Sequence, residues 1–168
     1  MKDVVDVEAV AGKEAKDVKE EIKMLNIMID AFFNPKSPIT NQIMIASRKA
    51  PGAKTAYWLA RALDRGRTLH SNYAEVKNNI IEKYADHDGS GAIIVDKSGN
   101  VKFADKESEE NAKKEIKELN ELEVPFGINK VTIDLDFIQE REKKINDASK
   151  LFTTEDMGFL LPFIEEPK

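Results

Sequence analysis

The chain contains no cysteine, which removes disulfides, thiolate zinc sites, iron–sulfur clusters and thiol nucleophiles together. Histidine is nearly absent, with only His70 and His87, and neither has a carboxylate or nucleophile at diagnostic spacing, so no catalytic dyad is read around them. Long apolar runs are missing too. No stretch approaches the roughly 18–20 consecutive apolar residues of a membrane-spanning helix, and the start M-K-D-V-V-D-V-E lacks the basic and apolar regions of a secretory signal. The expectation is a soluble, helix-rich, cytoplasmic protein without a membrane partner.

Acidic residues outnumber basic ones. Lysine and arginine number 26 against 31 acidic residues, for a net charge of -5, which opposes general binding to nucleic-acid phosphates. One cluster departs from this balance: Arg48, Lys49, Lys54, Arg61, Arg65 and Arg67 make the middle of the chain locally positive. It reads as a solvated helix face or a patch for an acidic protein partner. What the 168 residues do offer is 41% apolar and 34% charged side chains, enough for one packed domain.

Residues 1–12 read as an N-terminal arm and residues 13–168 as one α+β domain. Over 13–33, Val18, Ile22, Leu25, Ile29 and Phe32 recur at spacings of four and three, a helical stripe, and Asn34-Pro35 ends it. Residues 38–47 fit either a strand or a short helix, and Pro51-Gly52 marks a turn. From 55 to 85, Leu59, Ala62, Gly66, Leu69, Tyr73, Val76 and Ile80 form the seam of a long packing helix. Gly66 inside it predicts a close crossing or a kink, since glycine there costs about 1 kcal/mol against alanine. Tyr57 and Trp58 widen the apolar face, which predicts cover from two directions.

At Asp86 the pattern stops. Residues 92–96 and 101–104 predict a β-hairpin turning at Ser98-Gly99. Asp105 is placed to cap a helix in which Glu109 and Glu110 stand four residues before Lys113 and Lys114, with Ala112, Ile116 and Leu119 inward. Pro125 and Gly127 end that helix. Val131, Ile133, Leu135 and Phe137 then alternate with Thr132, Asp134 and Asp136, a half-buried strand that completes a small antiparallel sheet with the hairpin. Residues 139–150 read as an exposed helix or connector. Thr153 and Asp156 form a capping pair for a last helix, with Phe152 and Met157 as its staple, an apolar stripe of Met157, Leu160, Leu161 and Ile164, and Pro162 as its break. No internal repeat stands out.

The most chemical-looking motif is Asp86-His87-Asp88-Gly89-Ser90-Gly91, the opening half of a calcium loop with Asp86, Asp88 and Ser90 as oxygen ligands. The position that needs a bidentate glutamate is Lys97, so a polar helix-to-strand turn is the better reading. Gly52-Ala53-Lys54-Thr55 lacks the glycines of a phosphate loop and reads as a turn with Thr55 as N-cap. Asp134 and Asp136 share a strand face and would have to meet Asp86 and Asp88 to make a metal-dependent hydrolase site. No cofactor is expected.

Several runs together carry a resemblance: A-Y-W-L-A-R-A-L at 56–63, Tyr73, I-I-E-K-Y-A at 80–85, D-H-D-G-S-G, D-K-S-G-N, L-N-E-L-E-V at 119–124, I-D-L-D-F and F-T-T-E-D-M-G-F-L-L-P-F-I-E. From about residue 40 onward the chain resembles a family of small phage and prophage proteins of unknown function, encoded among virion or tail genes. The resemblance implies a setting in phage or prophage assembly. It implies no reaction. Together with the long seam, it leads to a non-catalytic structural or assembly protein whose partners are phage structural proteins or a second copy. The interaction residues would be Trp58, Leu59, Leu69, Tyr73, Val76 and Ile80. A prefoldin-like chaperone, from the helix–hairpin–helix order, and a carboxylate metal enzyme are the alternatives.

Overall fold

A computed structural model describes residues 19–49, 52–144, 146–147 and 151–165. The expected arm over residues 1–12, Val18 of the first stripe, Pro51 of the expected turn and part of the 139–150 connector lie outside them. The architecture is α+β, with long helices and a small two-stranded antiparallel sheet. The sheet is not the expected one.

Where one helix was predicted from 13 to 33, the chain forms strand β1 (Glu21–Leu25) and then helix α1 (Asn26–Phe33). Ile22 and Met24 are both buried while Lys23 and Leu25 face out, a period of two that the four-and-three spacing concealed. The partner is β2 (Glu123–Asn129), antiparallel, with Leu25 opposite Glu123 and Glu21 opposite Asn129. β2 runs through Pro125 and Gly127, the two residues expected only to end a helix. A strand at a sheet edge tolerates proline because it has no ladder bond to lose on its outer side, and the register shifts between Glu21 and Lys23, where the Glu21 carboxylate accepts from the Gly127 N–H at 2.9 Å.

After Asn34-Pro35 the chain turns into helix α2 (Pro38–Lys49), which settles the ambiguity at 38–47 as helix. Thr40 holds the corner, its hydroxyl lying 2.8 Å from both the Phe32 and Asn34 carbonyl oxygens. Helix α3 (Ala53–Tyr84) is continuous over 32 residues, about 48 Å. It starts after Gly52, two residues ahead of the expected Thr55 cap, and Thr55 instead reaches the Thr132 carbonyl. Leu59, Ala62, Leu63, Gly66, Leu69 and Tyr73 are its buried face. Gly66 marks the predicted close crossing: α1 packs there, and a Cβ on Gly66 would fall within the Phe33 ring. Phe33, Phe126 and Phe163 stack around that point with ring centroids 6.0–6.3 Å apart.

Helix α4 (Lys106–Glu121) returns along the far half of α3, capped as expected by Asp105, whose carboxylate accepts from the Ser108 N–H. The Tyr73 hydroxyl donates to Asn120, and Tyr84 and Lys83 both donate to Glu115. Glu109 pairs with Lys113 as predicted; Glu110 turns to Lys106, not Lys114. At 16 residues, α4 covers only half the length of α3, so the helix–hairpin–helix order is present without the equal arms of a chaperone tentacle.

The predicted hairpin is one side of a closed three-sided crown. Segments 85–87, 93–95 and 101–103 pair as Ala85 with Phe103, His87 with Ile93, and Val95 with Val101. Their central residues close a ring: the Ile94 N–H donates to the Asp86 carbonyl, Lys102 to Ile94, and Asp86 to Lys102, at 2.8–2.9 Å. The two connecting turns repeat each other at a spacing of eight. Gly91 and Gly99 both take positive φ, 84° and 81°. The Asp88 carboxylate accepts from the Ser90 and Ala92 N–H groups, as the Asp96 carboxylate does from Ser98 and Asn100. The chain therefore holds an internal repeat where none was expected, too short and too varied outside D-x-S-G to stand out.

The expected strand at 131–137 is the largest correction. Val131 and Ile133 are buried and Thr132 and Asp134 are exposed, so the alternation holds for four residues. Its pairing, however, is one parallel bridge from Val131 to Ile164, and from Leu135 the backbone enters helix α5 (Leu135–Glu142). Helix α6 (Thr154–Leu160) carries the predicted capping box of Thr153 and Asp156 and runs into a 3-10 turn (Leu161–Phe163) at Pro162. Leu160, Phe163 and Ile164 are buried with Ile22, Ile29 and Phe126 in the common core, while Leu161 faces out.

Candidate functional site

The buried face of α3 decides what its other flanks can present. With Leu59, Ala62 and Leu63 turned inward, Tyr57, Trp58, Arg61 and Arg65 fall on an adjoining outer flank at helical spacing. Tyr57 is 56% exposed and Trp58 37%, so the cover from two directions expected over these rings is absent among the described residues. The two rings meet edge to face, 5.4 Å between centroids at 76°, and the Arg61 guanidinium stands 5.5 Å from the Trp58 ring centroid. Arg65 donates through Nε to the Phe126 carbonyl oxygen at 3.2 Å, which ties α3 to β2. Between them runs a groove of about 670 Å³ lined by Tyr57, Arg61, Asp64, Arg65, Thr68 and the β2 residues Phe126 and Ile128.

The remaining interaction candidates are placed differently. Leu59, Leu69 and Tyr73 are buried in the chain's own interior, 8% exposed or less, and have no surface left for a partner. Val76 is exposed and Ile80 half-buried on the part of α3 that carries α4.

The calcium candidates sit in the crown. Asp88 uses one carboxylate oxygen for three donors, the Ser90 hydroxyl and the Ser90 and Ala92 N–H groups. The Ser90 hydroxyl and these N–H groups hold its carboxyl below the usual range, as the Asn100 and Ser98 donors do for Asp96. Both carboxylates act as turn staples. Asp134 and Asp136 precede and open α5, whereas Asp86 and Asp88 belong to the crown. Among the described residues no three His, Asp or Glu side chains gather where one metal ion could be held, and no helix is long and apolar enough to cross a membrane.

No family model, curated protein or solved structure matches the chain.

The basic cluster is divided by the fold. Lys49 pairs with Asp156, 3.1 Å away and nearly buried. Arg61 and Arg65 flank the groove, and Arg67 lines a separate cleft with His70. His70 is the residue that sequence reasoning placed least well. The α1–α3 crossing brings Asp30, forty positions earlier, to 3.1 Å from its Nε2. No local spacing signals that pair, because it exists only once the two helices cross.

Proposed function

We propose that the protein acts by association with an acidic protein partner, without catalysis, in the assembly of a phage or prophage particle. The observation that carries the association is the solvent-facing Tyr57–Trp58 pair with Arg61 beside the indole. Tryptophan, tyrosine and arginine dominate binding hot spots because they bring large rigid area and charge together. In a chain of net charge -5, this flank, where Lys54, Arg61 and Arg65 outnumber Asp64, complements an acidic surface. The phage setting rests on the resemblance of residues 40–168 to small phage and prophage proteins.

Trp58 is the only tryptophan in the chain, so its emission reports this surface directly. Titrating the protein with phage or prophage head and tail proteins should blue-shift that emission for one of them, with a stable complex in light scattering. Trp58→Ala together with Arg61→Ala should weaken the complex by more than about tenfold. A strictly monomeric protein that binds none of these proteins would refute the reading.

A further inference from the structure

A second cleft, of about 620 Å³, opens on another flank of α3, where the α1–α2 corner meets the middle of the long helix. Its apolar side is Phe33, Pro35, Met44 and Ala74; its polar side is Arg67, His70, Ser71 and Asn41. We propose that this cleft binds a small organic anion, a phosphate or carboxylate group on a compact apolar body.

Three features support this. First, the walls are rigid before any ligand arrives. Phe33 is held against Gly66 and stacked on Phe126 and Phe163, and the corner after it is tied by Thr40 and by Asn34, whose side chain accepts from the Lys36 N–H. A preformed cleft binds without the cost of ordering its own residues.

Second, His70 is oriented. Asp30 Oδ1 lies 3.1 Å from its Nε2 and also accepts from the Asn34 side-chain amide at 3.3 Å. A carboxylate on one ring nitrogen fixes the ring, and in the imidazolium form the second nitrogen carries an N–H that can donate to an anion. Asp30 is the only hydrogen-bonding partner of His70 among the described residues.

Third, the Arg67 guanidinium has no carboxylate or carbonyl partner among the described residues, although Lys49, Arg65 and Lys83 all have one. An arginine fork beside an oriented imidazole and free hydroxyl and amide groups suits the oxygens of a phosphate or carboxylate. The ring of Phe33 and the side chains of Met44 and Ala74 suit the apolar body.

The test uses phenyl phosphate and benzoate as anionic probes and benzyl alcohol as the neutral control, followed by amide NMR on the whole chain. Both anions, or one of them, should shift the Ser37, Asn41 and Ser71 amides saturably below about 10 mM, at least tenfold more tightly than the alcohol. Arg67 is exposed, so Arg67→Ala leaves the core untouched and should weaken the anion at least tenfold. Ser71→Glu, also at an exposed position, should abolish binding by placing a carboxylate at the mouth. Absence of saturable shifts with both anions, equal affinity for the alcohol, or unchanged affinity in Arg67→Ala would each overturn the proposal. None of these outcomes bears on the Trp58 surface.

Discussion

The ring of Phe33 occupies the space that a side chain on residue 66 would need, so α1 and α3 touch backbone to ring at Gly66. The ring cannot retreat, because Phe126 and Phe163 stand 6.2 and 6.0 Å behind it. Gly66→Ala should therefore destabilise the protein by about 1–3 kcal/mol in urea unfolding, although the same change in an isolated helix is worth about 1 kcal/mol in its favour. In a Phe33→Leu background the penalty should shrink or change sign. A Gly66→Ala protein as stable as the parent would place the crossing elsewhere.

Asp156 links α6 to the end of α2. Burial pushes its carboxyl up, but the Thr153 N–H and hydroxyl and the Lys49 ammonium outweigh this and hold it below its ordinary value of 3.8. A lowered native value means that the stabilisation is fully present above the unfolded value and is lost as pH falls through the native one. Asp156→Asn should cost about 2 kcal/mol at neutral pH, and the gap between mutant and parent should begin to narrow near pH 3.8 and close only as pH falls through the lowered native value. A gap independent of pH would mean that the side chain acts through shape alone.

In the crown, the positive φ of Gly91 and Gly99 disfavours any side chain by about 1–2 kcal/mol. Because the two turns are equivalent, Gly91→Ala and Gly99→Ala should have similar effects. The amides of Asp86, Ile94 and Lys102, which close the ring, should exchange with solvent roughly 5–30 times faster in either variant. The thermal midpoint should hardly move, since the crown lies outside the common core.

Asn26 is the buried tie between the start of α1 and the end of α4. Its backbone N–H donates to the Leu122 carbonyl at 3.0 Å and its side-chain amide to the Leu119 carbonyl at 2.9 Å. Asn26→Ala removes the second bond from a nearly closed site and should lower stability by about 1–2 kcal/mol. An unchanged denaturant slope with a lower midpoint would show that the fold itself is kept.

The positions of these residues show where sequence reasoning reaches. Gly66 was legible as a crossing because a costly glycine inside a long apolar seam needs a neighbour. Trp58 was legible as an unusual residue, but its exposure was not, because an aromatic beside a buried stripe reads as part of that stripe. The His70–Asp30 pair, and an Arg67 without a partner among the described residues, were beyond reach, since each depends on the angle at which α1 meets α3.

By itself the sequence determined the features with local causes: the long helix, expected over 55–85 and found over Ala53–Tyr84, the Asp105 and Thr153 caps, the stop at Asn34-Pro35 and the break at Pro162. Periodicity and capping act within a few residues, where neighbours are known in advance. Tertiary structure alone decided that Glu21–Leu25 is a strand, that Glu123–Asn129 pairs with it through a proline and a glycine, and that residues 135–142 are helical. It also closed the crown and opened both clefts. In each case the deciding partner lies elsewhere in the chain, and backbone groups take whichever hydrogen bonds that partner offers.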